Sequence, residues 1–135
     1  MDVLPDKVLL DFTAFYDHLE QFISTVTPTT DLKPIEEHIH PTYQATIGFP
    51  GMDGVQPCNR AAAIAGLRQG VEGGYQIRTE SRTIRLRSPT EAAAFLERVA
   101  VKDGQEVARS FHLEIWRLID GDWQLVRETK ELLAR

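Results

Sequence analysis

Cysteine is almost absent from this sequence: one residue, Cys58, occurs among 135. A single cysteine can form no internal disulfide, and no paired cysteine and histidine spacing typical of a structural zinc site is present. A chain of this length needs neither, because folding buries roughly two-thirds of the surface that the extended chain exposes. We therefore expect one domain over residues 1–135 with a single hydrophobic core, in a reducing compartment.

Long apolar runs and a surplus of positive charge are also missing. The longest apolar run near the start, Val8-Leu9-Leu10, is far too short for a signal-peptide core or a membrane span. Fifteen basic residues against twenty acidic ones leave a net charge of -5, which disfavours binding to nucleic-acid phosphates. We expect a cytoplasmic protein that binds neither nucleic acid nor a membrane. The composition, 42% hydrophobic and 26% charged, is that of an ordinary globular protein.

The spacing of apolar residues in the first half of the chain predicts helices. Over residues 6–26 they recur every three or four positions, which is typical of an amphipathic helix. A short second helix is predicted over 34–39 and is ended by Pro41. A strand at 43–49 and a loop rich in glycine and proline at 50–57 follow, and Asn59 is a suitable cap for a third helix over 60–71.

In the second half of the chain, successive residues alternate in character with a period of two, which predicts long strands. The alternation begins at Tyr75, slips near residues 83–84 as it would at a β-bulge, and returns after residue 110. Asp103-Gly104 and Asp120-Gly121 predict hairpin turns. Residues 91–101 are rich in alanine and have helix propensity, but they lead directly into a hairpin turn, so we predict a strand, with a helix as the alternative.

Three helices followed by a run of antiparallel strands indicate an α+β fold. In such a fold the helices lie on one face of a curved antiparallel sheet. A curved sheet with three N-terminal helices across its mouth encloses a cone-shaped pocket, so a ligand cavity is expected.

The order of these elements resembles the nuclear transport factor 2-like superfamily, and within it the SnoaL-like and ketosteroid-isomerase-like branches. The resemblance covers roughly residues 6–133. It depends on the His40-Pro41-Thr42-Tyr43 segment and above all on the last hairpin, where an aromatic strand over 111–119 meets Asp120-Gly121 and a strand that starts at Trp123. It implies a cone-like α+β barrel that is commonly a homodimer across the outer sheet face. Members have many chemistries, so the fold does not choose one.

The resemblance also implies candidate catalytic residues. In ketosteroid-isomerase-like members a tyrosine and a protonated acid donate hydrogen bonds to a developing enolate oxygen, while a second carboxylate moves the proton. By position the protonated acid corresponds to Glu114, the tyrosine to Tyr16 and the second carboxylate to Asp53. Asp53 is equally well explained as a turn residue between two glycines, and Tyr16 as a core aromatic residue on the apolar stripe of the first helix.

Strand alternation adds further residues to this candidate site. His112 and Trp116 share a strand face with Glu114, and the alternative is that this face points outward. His40 is a possible acid/base group at the mouth beside Tyr43, and Phe12 and Phe49 are expected to line the same pocket. Histidines two apart, at positions 38 and 40, could bind a divalent metal with Asp53 or His112, but nothing fixes a third ligand, so no metal is expected.

Two hypotheses about function remain. The first is a small-molecule-binding protein, an isomerase, cyclase or dehydratase that acts on a small apolar or carbonyl-containing molecule without a cofactor. The second is a non-catalytic dimeric ligand-binding or assembly module. In the second case the apolar side chains at positions 111, 113 and 115 would form the contact between two copies.

Overall fold

The structure is a computed structural model that describes residues 5–133. Over these residues three helices and six strands follow one another: α1 (Pro5–Ser24), α2 (Lys33–Glu36), β1 (Ile39–Gly48), β2 (Gln56–Asn59), α3 (Arg60–Glu72), β3 (Gln76–Ser88), β4 (Glu91–Lys102), β5 (Gln105–Ile119) and β6 (Asp122–Leu132). The six strands form one sheet in the order β2-β1-β6-β5-β4-β3. The predicted α+β class and the curved sheet with helices are confirmed.

The sheet is antiparallel at every pairing of adjacent strands except one. The exception is the parallel pair of β1 and β6, which lies in the middle of the sheet. The sequence alternation predicted only antiparallel neighbours, because hairpin turns reveal pairs of consecutive strands and β1 and β6 are far apart in the chain.

The alanine-rich segment at 91–101 is a strand, as predicted. It forms β4, which pairs with β3 on one side and β5 on the other. Both rows of its backbone hydrogen-bonding groups are therefore used, and this tertiary pairing outweighs the helix propensity of alanine. Ala92 and Ala94 have no exposed surface, and they belong to the core cluster that also contains α1 side chains.

Both Asp-Gly pairs form tight hairpin turns. Asp103 and Asp120 have φ of 52° and 51°, and the glycines that follow have φ of 77° and 82°. Two successive left-handed residues match the right-handed twist of the flanking strands. The predicted cap of α3 is also present, since the Asn59 side chain accepts a hydrogen bond of 2.9 Å from the backbone N–H of Ala62.

Three local predictions were wrong. The second helix has four residues, and β1 begins at Ile39, so Pro41 lies inside a strand. Pro41 is tolerated because the pairing of β1 with β6 is irregular between Ile39 and Gln44. The end of the predicted 50–57 loop belongs to β2, and the bulge of β3 lies between Thr79 and Ser81 rather than at 83–84.

The main core lies between α1 and the concave face of the sheet. Phe12 and Tyr16 are fully buried and pack against Trp116 and Trp123; the closest ring pair, Phe12 and Trp123, has centroids 4.8 Å apart. A smaller apolar cluster on the opposite, outer face contains Ala93, with two side chains from β5 and β6. No helix in residues 5–133 has both the length and the apolar character needed to cross a membrane.

Candidate functional site

Two buried carboxylates lie opposite each other on the concave face of the sheet. Glu114 on β5 and Glu128 on β6 are register partners, and their exposed fractions are 3% and 7%. A buried carboxylate is unfavourable unless hydrogen bonds and opposite charges compensate it. The side chains around each carboxylate therefore define the site.

Glu114 is surrounded by hydrogen-bond donors. Its Oε1 accepts from the Tyr16 hydroxyl at 2.6 Å and from Trp116 Nε1 at 3.0 Å, and its Oε2 accepts from Arg98 Nη1 at 3.1 Å. Arg98 Nη2 also donates to the Tyr16 hydroxyl at 2.8 Å, which closes the network. All three partners of the Glu114 carboxyl group thus donate to it. We call these four residues the Glu114 half.

Glu128 has a different set of partners. Its Oε1 accepts from the Tyr43 hydroxyl at 2.7 Å, and its Oε2 lies 2.9 Å from His112 Nδ1. The other ring nitrogen of His112, Nε2, lies 2.7 Å from the Ser110 hydroxyl. We call these four residues the Glu128 half, and the two halves together the buried network.

The partners of Glu128 stabilise its ionised form. Burial by itself raises the pKa of this carboxyl group, but the hydrogen bond from His112, the charges of Lys130 and His112 and the hydrogen bond from Tyr43 outweigh burial. They lower the pKa of Glu128 from an ordinary value of 4.5 to about 2. Glu128 is therefore a carboxylate at neutral pH.

The two tyrosines and the arginine of the network keep their protons. Burial and then the charge of Glu114 raise the pKa of Tyr16 well above its ordinary value, and burial and then the charge of Glu128 raise that of Tyr43. Burial lowers the pKa of the Arg98 guanidinium, but the charges around it, that of Glu114 first, together outweigh burial, and the pKa is raised. At neutral pH two phenol donors and one permanent cation thus face two carboxylates.

Six of the residues predicted for the site meet in or beside this network. Glu114, His112, Tyr16, Trp116 and Tyr43 belong to it, and Phe12 packs against Trp116 with ring centroids 6.1 Å apart. The face of β5 that carries Glu114 and Trp116 is the concave one. The apolar residues that alternate with them, Leu113 and Ile115, belong to the cluster on the outer face.

The remaining three predicted residues lie outside it. Asp53 is exposed in the turn between β1 and β2, and Phe49, at 37% exposure, begins the same turn. His40 is hydrogen-bonded through Nδ1 to the Thr42 hydroxyl at 2.7 Å. The carboxylate that lies beside Glu114 is Glu128 and not Asp53, because the sheet register brings β6 next to β5.

Arg98, Ser110 and Glu128 are the members that the sequence did not reveal. Counted back from the Asp120-Gly121 turn, the residue opposite Glu114 would be Arg127. A register shift between Ile115 and Trp116 moves Glu128 into that position instead. A single bulge thus hid the pair of carboxylates.

Three groups in the network could hold a cation. One ligand atom each from His112, Glu114 and Glu128 lie within 4.8 Å of one another. All three already have hydrogen-bond partners, and the positive charge of Arg98 on Glu114 opposes a cation there. His38 does not join them, because its Nδ1 lies 3.1 Å from the backbone oxygen of Trp123.

A groove of about 630 Å³ opens beside the buried network, between α1 and strands β3 and β4. Most of the residues that line it are polar or charged, and they include Glu20, Gln21, Gln76, Thr79, Arg82 and Arg98. Arg82 is held by Asp17 at 2.7 Å and Glu20 at 2.6 Å. Arg98 belongs both to the groove and to the Glu114 half, so it connects the groove to the buried carboxylates.

Comparison with known proteins identifies the fold. No protein-family model matches the sequence, and no curated protein matches it. A solved structure of an NTF2-like protein of unknown function from Pseudomonas putida KT2440 is similar with a TM-score of 0.68 and 11% identity, over 96% of this chain and 89% of that chain. The protein has the nuclear transport factor 2-like fold.

Two further solved structures are similar to this chain over almost its whole length. An NTF2-like protein with a cystatin-like fold from Novosphingobium aromaticivorans has a TM-score of 0.60 and 19% identity, over 98% of this chain and 92% of that one. The yeast UBP3-associated protein Bre5 has a TM-score of 0.66 and 8% identity, over 99% of this chain and 100% of that one. At these identities the similarity establishes the fold alone.

Proposed function

We propose that this protein binds a small carbonyl-containing molecule in the groove beside Arg98 and performs acid/base chemistry on it without a cofactor. The observation that carries the proposal is the position of Arg98, which lines the groove and is hydrogen-bonded to both Tyr16 and Glu114. A carbonyl oxygen is an acceptor that suits a guanidinium N–H. The polar lining of the groove favours such a molecule over a purely apolar one.

The energetics of the buried network support a functional role. Replacing a buried ion pair with well-packed apolar residues is often neutral or stabilising, so stability alone gives little reason to keep two carboxylates in a core. Titratable groups with strongly shifted pKa values are typical of functional sites. Tyr43, Tyr16 and Glu128 are such groups, and they lie within one network.

The roles follow from which group can give or take a proton. Imidazole changes charge near neutral pH, which makes His112 the acid/base group, and Glu128 holds its ring. Arg98 is the hydrogen-bond donor for an oxygen that becomes negative, and Glu114 and Tyr16 orient its guanidinium. Proton transfer next to a carbonyl leads to isomerisation, cyclisation or dehydration.

Native mass spectrometry tests the binding proposal. We expect protein purified under non-denaturing conditions to retain a small molecule, and Arg98→Lys to retain at least about tenfold less, because lysine lacks the planar donor fork. Arg85→Lys is the matched control, since Arg85 is exposed and pairs with Ala93 on β4, whose side chain lies on the outer face. Equal retention by Arg98→Lys would contradict the proposal. So would a wild type that retains nothing and is not stabilised by millimolar ketones, esters or carboxylic acids.

A second candidate function is that of a homodimeric assembly module. Phe95 and Phe111 are 46% and 49% exposed, and they extend the outer apolar cluster of Ala93, Ile115 and Val126. The ion pair of Arg117 with Glu91 and that of Arg109 with Glu97 join β4 to β5 beside this cluster, so the face carries both signs of charge. A surface of this kind is self-complementary, which favours a second copy of the chain as the partner. The similar yeast protein is, by its name, associated with another protein.

Sedimentation velocity tests the second candidate. We expect the wild type to sediment as a dimer and Phe111→Glu as a monomer, because the new carboxylate would be buried in the contact. Leu10→Glu is the control, since Leu10 on α1 is 69% exposed and lies away from the sheet. A monomeric wild type, or a dimeric Phe111→Glu variant, would contradict this candidate.

A further inference from the structure

Ser110, His112 and Glu128 form a continuous hydrogen-bonded chain in the Glu128 half. The Ser110 hydroxyl oxygen lies 2.7 Å from His112 Nε2, and His112 Nδ1 lies 2.9 Å from Glu128 Oε2. Hydroxyl, imidazole and carboxylate follow one another in the order found in enzymes with an activated serine. Such a group is recognised by its geometry and not by the position of its members in the sequence.

The position of each proton follows from the partners. Glu128 is ionised at neutral pH, because its pKa is lowered to about 2, so its oxygens only accept. His112 Nδ1 must therefore carry a proton and donate it to Glu128. When the ring is neutral, Nε2 then has a free electron pair that can accept a proton from the Ser110 hydroxyl, 2.7 Å away. This is the tautomer that can take a proton from serine.

Ser110 is also close to the groove. Its side chain is half-buried, and its register partner on β4 is Arg98, which lines the groove. Among the described residues, Arg98 Nε is the one buried side-chain nitrogen or oxygen atom without a hydrogen-bond partner. A buried donor without an acceptor is unfavourable, and a bound carbonyl oxygen would supply the acceptor.

We propose that Ser110 is a nucleophile that accepts an acyl group from an ester bound in the groove. His112 is the base, Arg98 donates to the carbonyl oxygen, and Glu128 is a positioning residue that acts through His112. This inference uses the groove of the proposed function and goes beyond that function, because it adds a covalent step and a substrate class.

The reaction has two stages, acylation of Ser110 and hydrolysis of the acyl-serine. Ser110 Oγ forms a bond to the ester carbon as its proton moves to His112 Nε2, and the carbonyl electron pair moves onto oxygen. The carbonyl re-forms, the bond to the alcohol oxygen breaks, and the alcohol leaves with the proton from Nε2. Water then attacks the acyl-serine by the same route, which releases a carboxylic acid and returns the proton to Ser110.

Rapid-mixing kinetics with p-nitrophenyl acetate as the probe test the proposal. We expect a burst of about one p-nitrophenolate per chain and an acetyl group on Ser110 in peptide mass spectrometry. Ser110→Ala should slow acylation by at least about 100-fold, the scale of a lost acid/base or nucleophilic group. Ser88→Ala is the control, because the Ser88 side chain is hydrogen-bonded to Thr90 and lies at the far end of β3.

Two further variants separate the roles. Glu128→Gln should lower the burst rate and change its pH profile, because an amide can donate to Nδ1 and so reverse the tautomer of His112, whereas Glu128→Asp should restore part of the rate. An equal burst in Ser110→Ala, or acetyl found only on Cys58 or lysine, would overturn the proposal. Ligand retention that depends on Arg98 without acylation overturns this inference alone. Acylation of Ser110 without ligand retention overturns the proposed function alone.

Discussion

Each half of the buried network contains one glutamate carboxylate, but the two carboxylates have different positive partners. Glu114 and Glu128 are opposite each other on neighbouring strands, and each accepts a hydrogen bond from a tyrosine hydroxyl. The positive partner of Glu114 is Arg98, which is always charged, whereas the partner of Glu128 is His112, which is charged only when protonated. One carboxylate therefore faces a permanent cation, and the other faces an imidazole.

This difference separates anchoring from proton transfer. The Glu114 half ties α1 to β4 and β5 through the hydrogen bonds that Tyr16 and Arg98 donate to Glu114. The Glu128 half contains the imidazole and the serine that can exchange a proton.

Loss of Arg98 should have the largest effect on stability. Arg98→Met leaves the Glu114 carboxylate buried without its counterion, and we expect the free energy of unfolding to fall by about 3–5 kcal/mol in urea titrations. The double variant Arg98→Met/Glu114→Leu should recover much of this loss, because it removes the unpaired charge as well. Arg85→Met on the outer face is the control and should change stability by less than about 0.5 kcal/mol. A loss below about 1 kcal/mol in Arg98→Met would contradict the anchoring role of this half.

Acid should destabilise the protein through the Glu128 half. The pKa of Glu128 is lowered in the folded protein from 4.5 to about 2, so in that interval the unfolded chain binds more protons. The stability that this carboxylate contributes is complete above pH 4.5 and is lost as the pH falls toward 2. The loss should be about 3 kcal/mol, measured by urea unfolding at a series of pH values.

Glu128→Gln is the matched variant for this measurement. An amide does not titrate, so the stability of Glu128→Gln should depend less on pH between 4.5 and 2 than that of the wild type. Identical slopes in the two proteins would show that Glu128 does not carry the acid dependence. The Glu128 half would then not be the source of the pH dependence of stability.

Removal of the two tyrosine hydroxyls should have the smallest effects, and the effects should be unequal. The Tyr16 hydroxyl donates to Glu114 and accepts from Arg98, whereas the Tyr43 hydroxyl donates to Glu128. We expect Tyr16→Phe to lower stability by about 2 kcal/mol and Tyr43→Phe by about 1 kcal/mol, because the first change removes two hydrogen bonds to charged groups and the second removes one. Urea unfolding at neutral pH measures both. The reverse order would show that Glu128 depends on its tyrosine more than Glu114 does.

Local patterns in the sequence were enough to predict most of the fold. The spacing of apolar residues predicted α1, and the Asp-Gly pairs predicted two turns, because these features depend on neighbouring residues. The parallel pairing of β1 with β6 depends on contacts between distant parts of the chain, and no local signal marks it. Pro41 indicated the end of a helix, and only the irregular pairing at that point allows it inside a strand.

Part of the candidate site was also predictable, because it depends on neighbouring residues of one strand. His112, Glu114 and Trp116 alternate on one strand, so their shared face could be read from the sequence. The partners of Glu114 and His112 come from other strands, and their identity depends on register. The bulge at Ile115 shifts that register by one residue, which replaces Arg127 with Glu128 opposite Glu114.

The central place of β6 has a consequence for synthesis on the ribosome. β6 lies between β1 and β5, so β1 lacks its inner neighbour until the residues of β6 have been translated. The hairpins of β3, β4 and β5 can form earlier, because they join consecutive segments. Completion of the sheet therefore waits for a contact between segments far apart in the chain, and such contacts make folding slow. Until then the nascent chain presents two unpaired strand edges that a chaperone or a second nascent chain can bind.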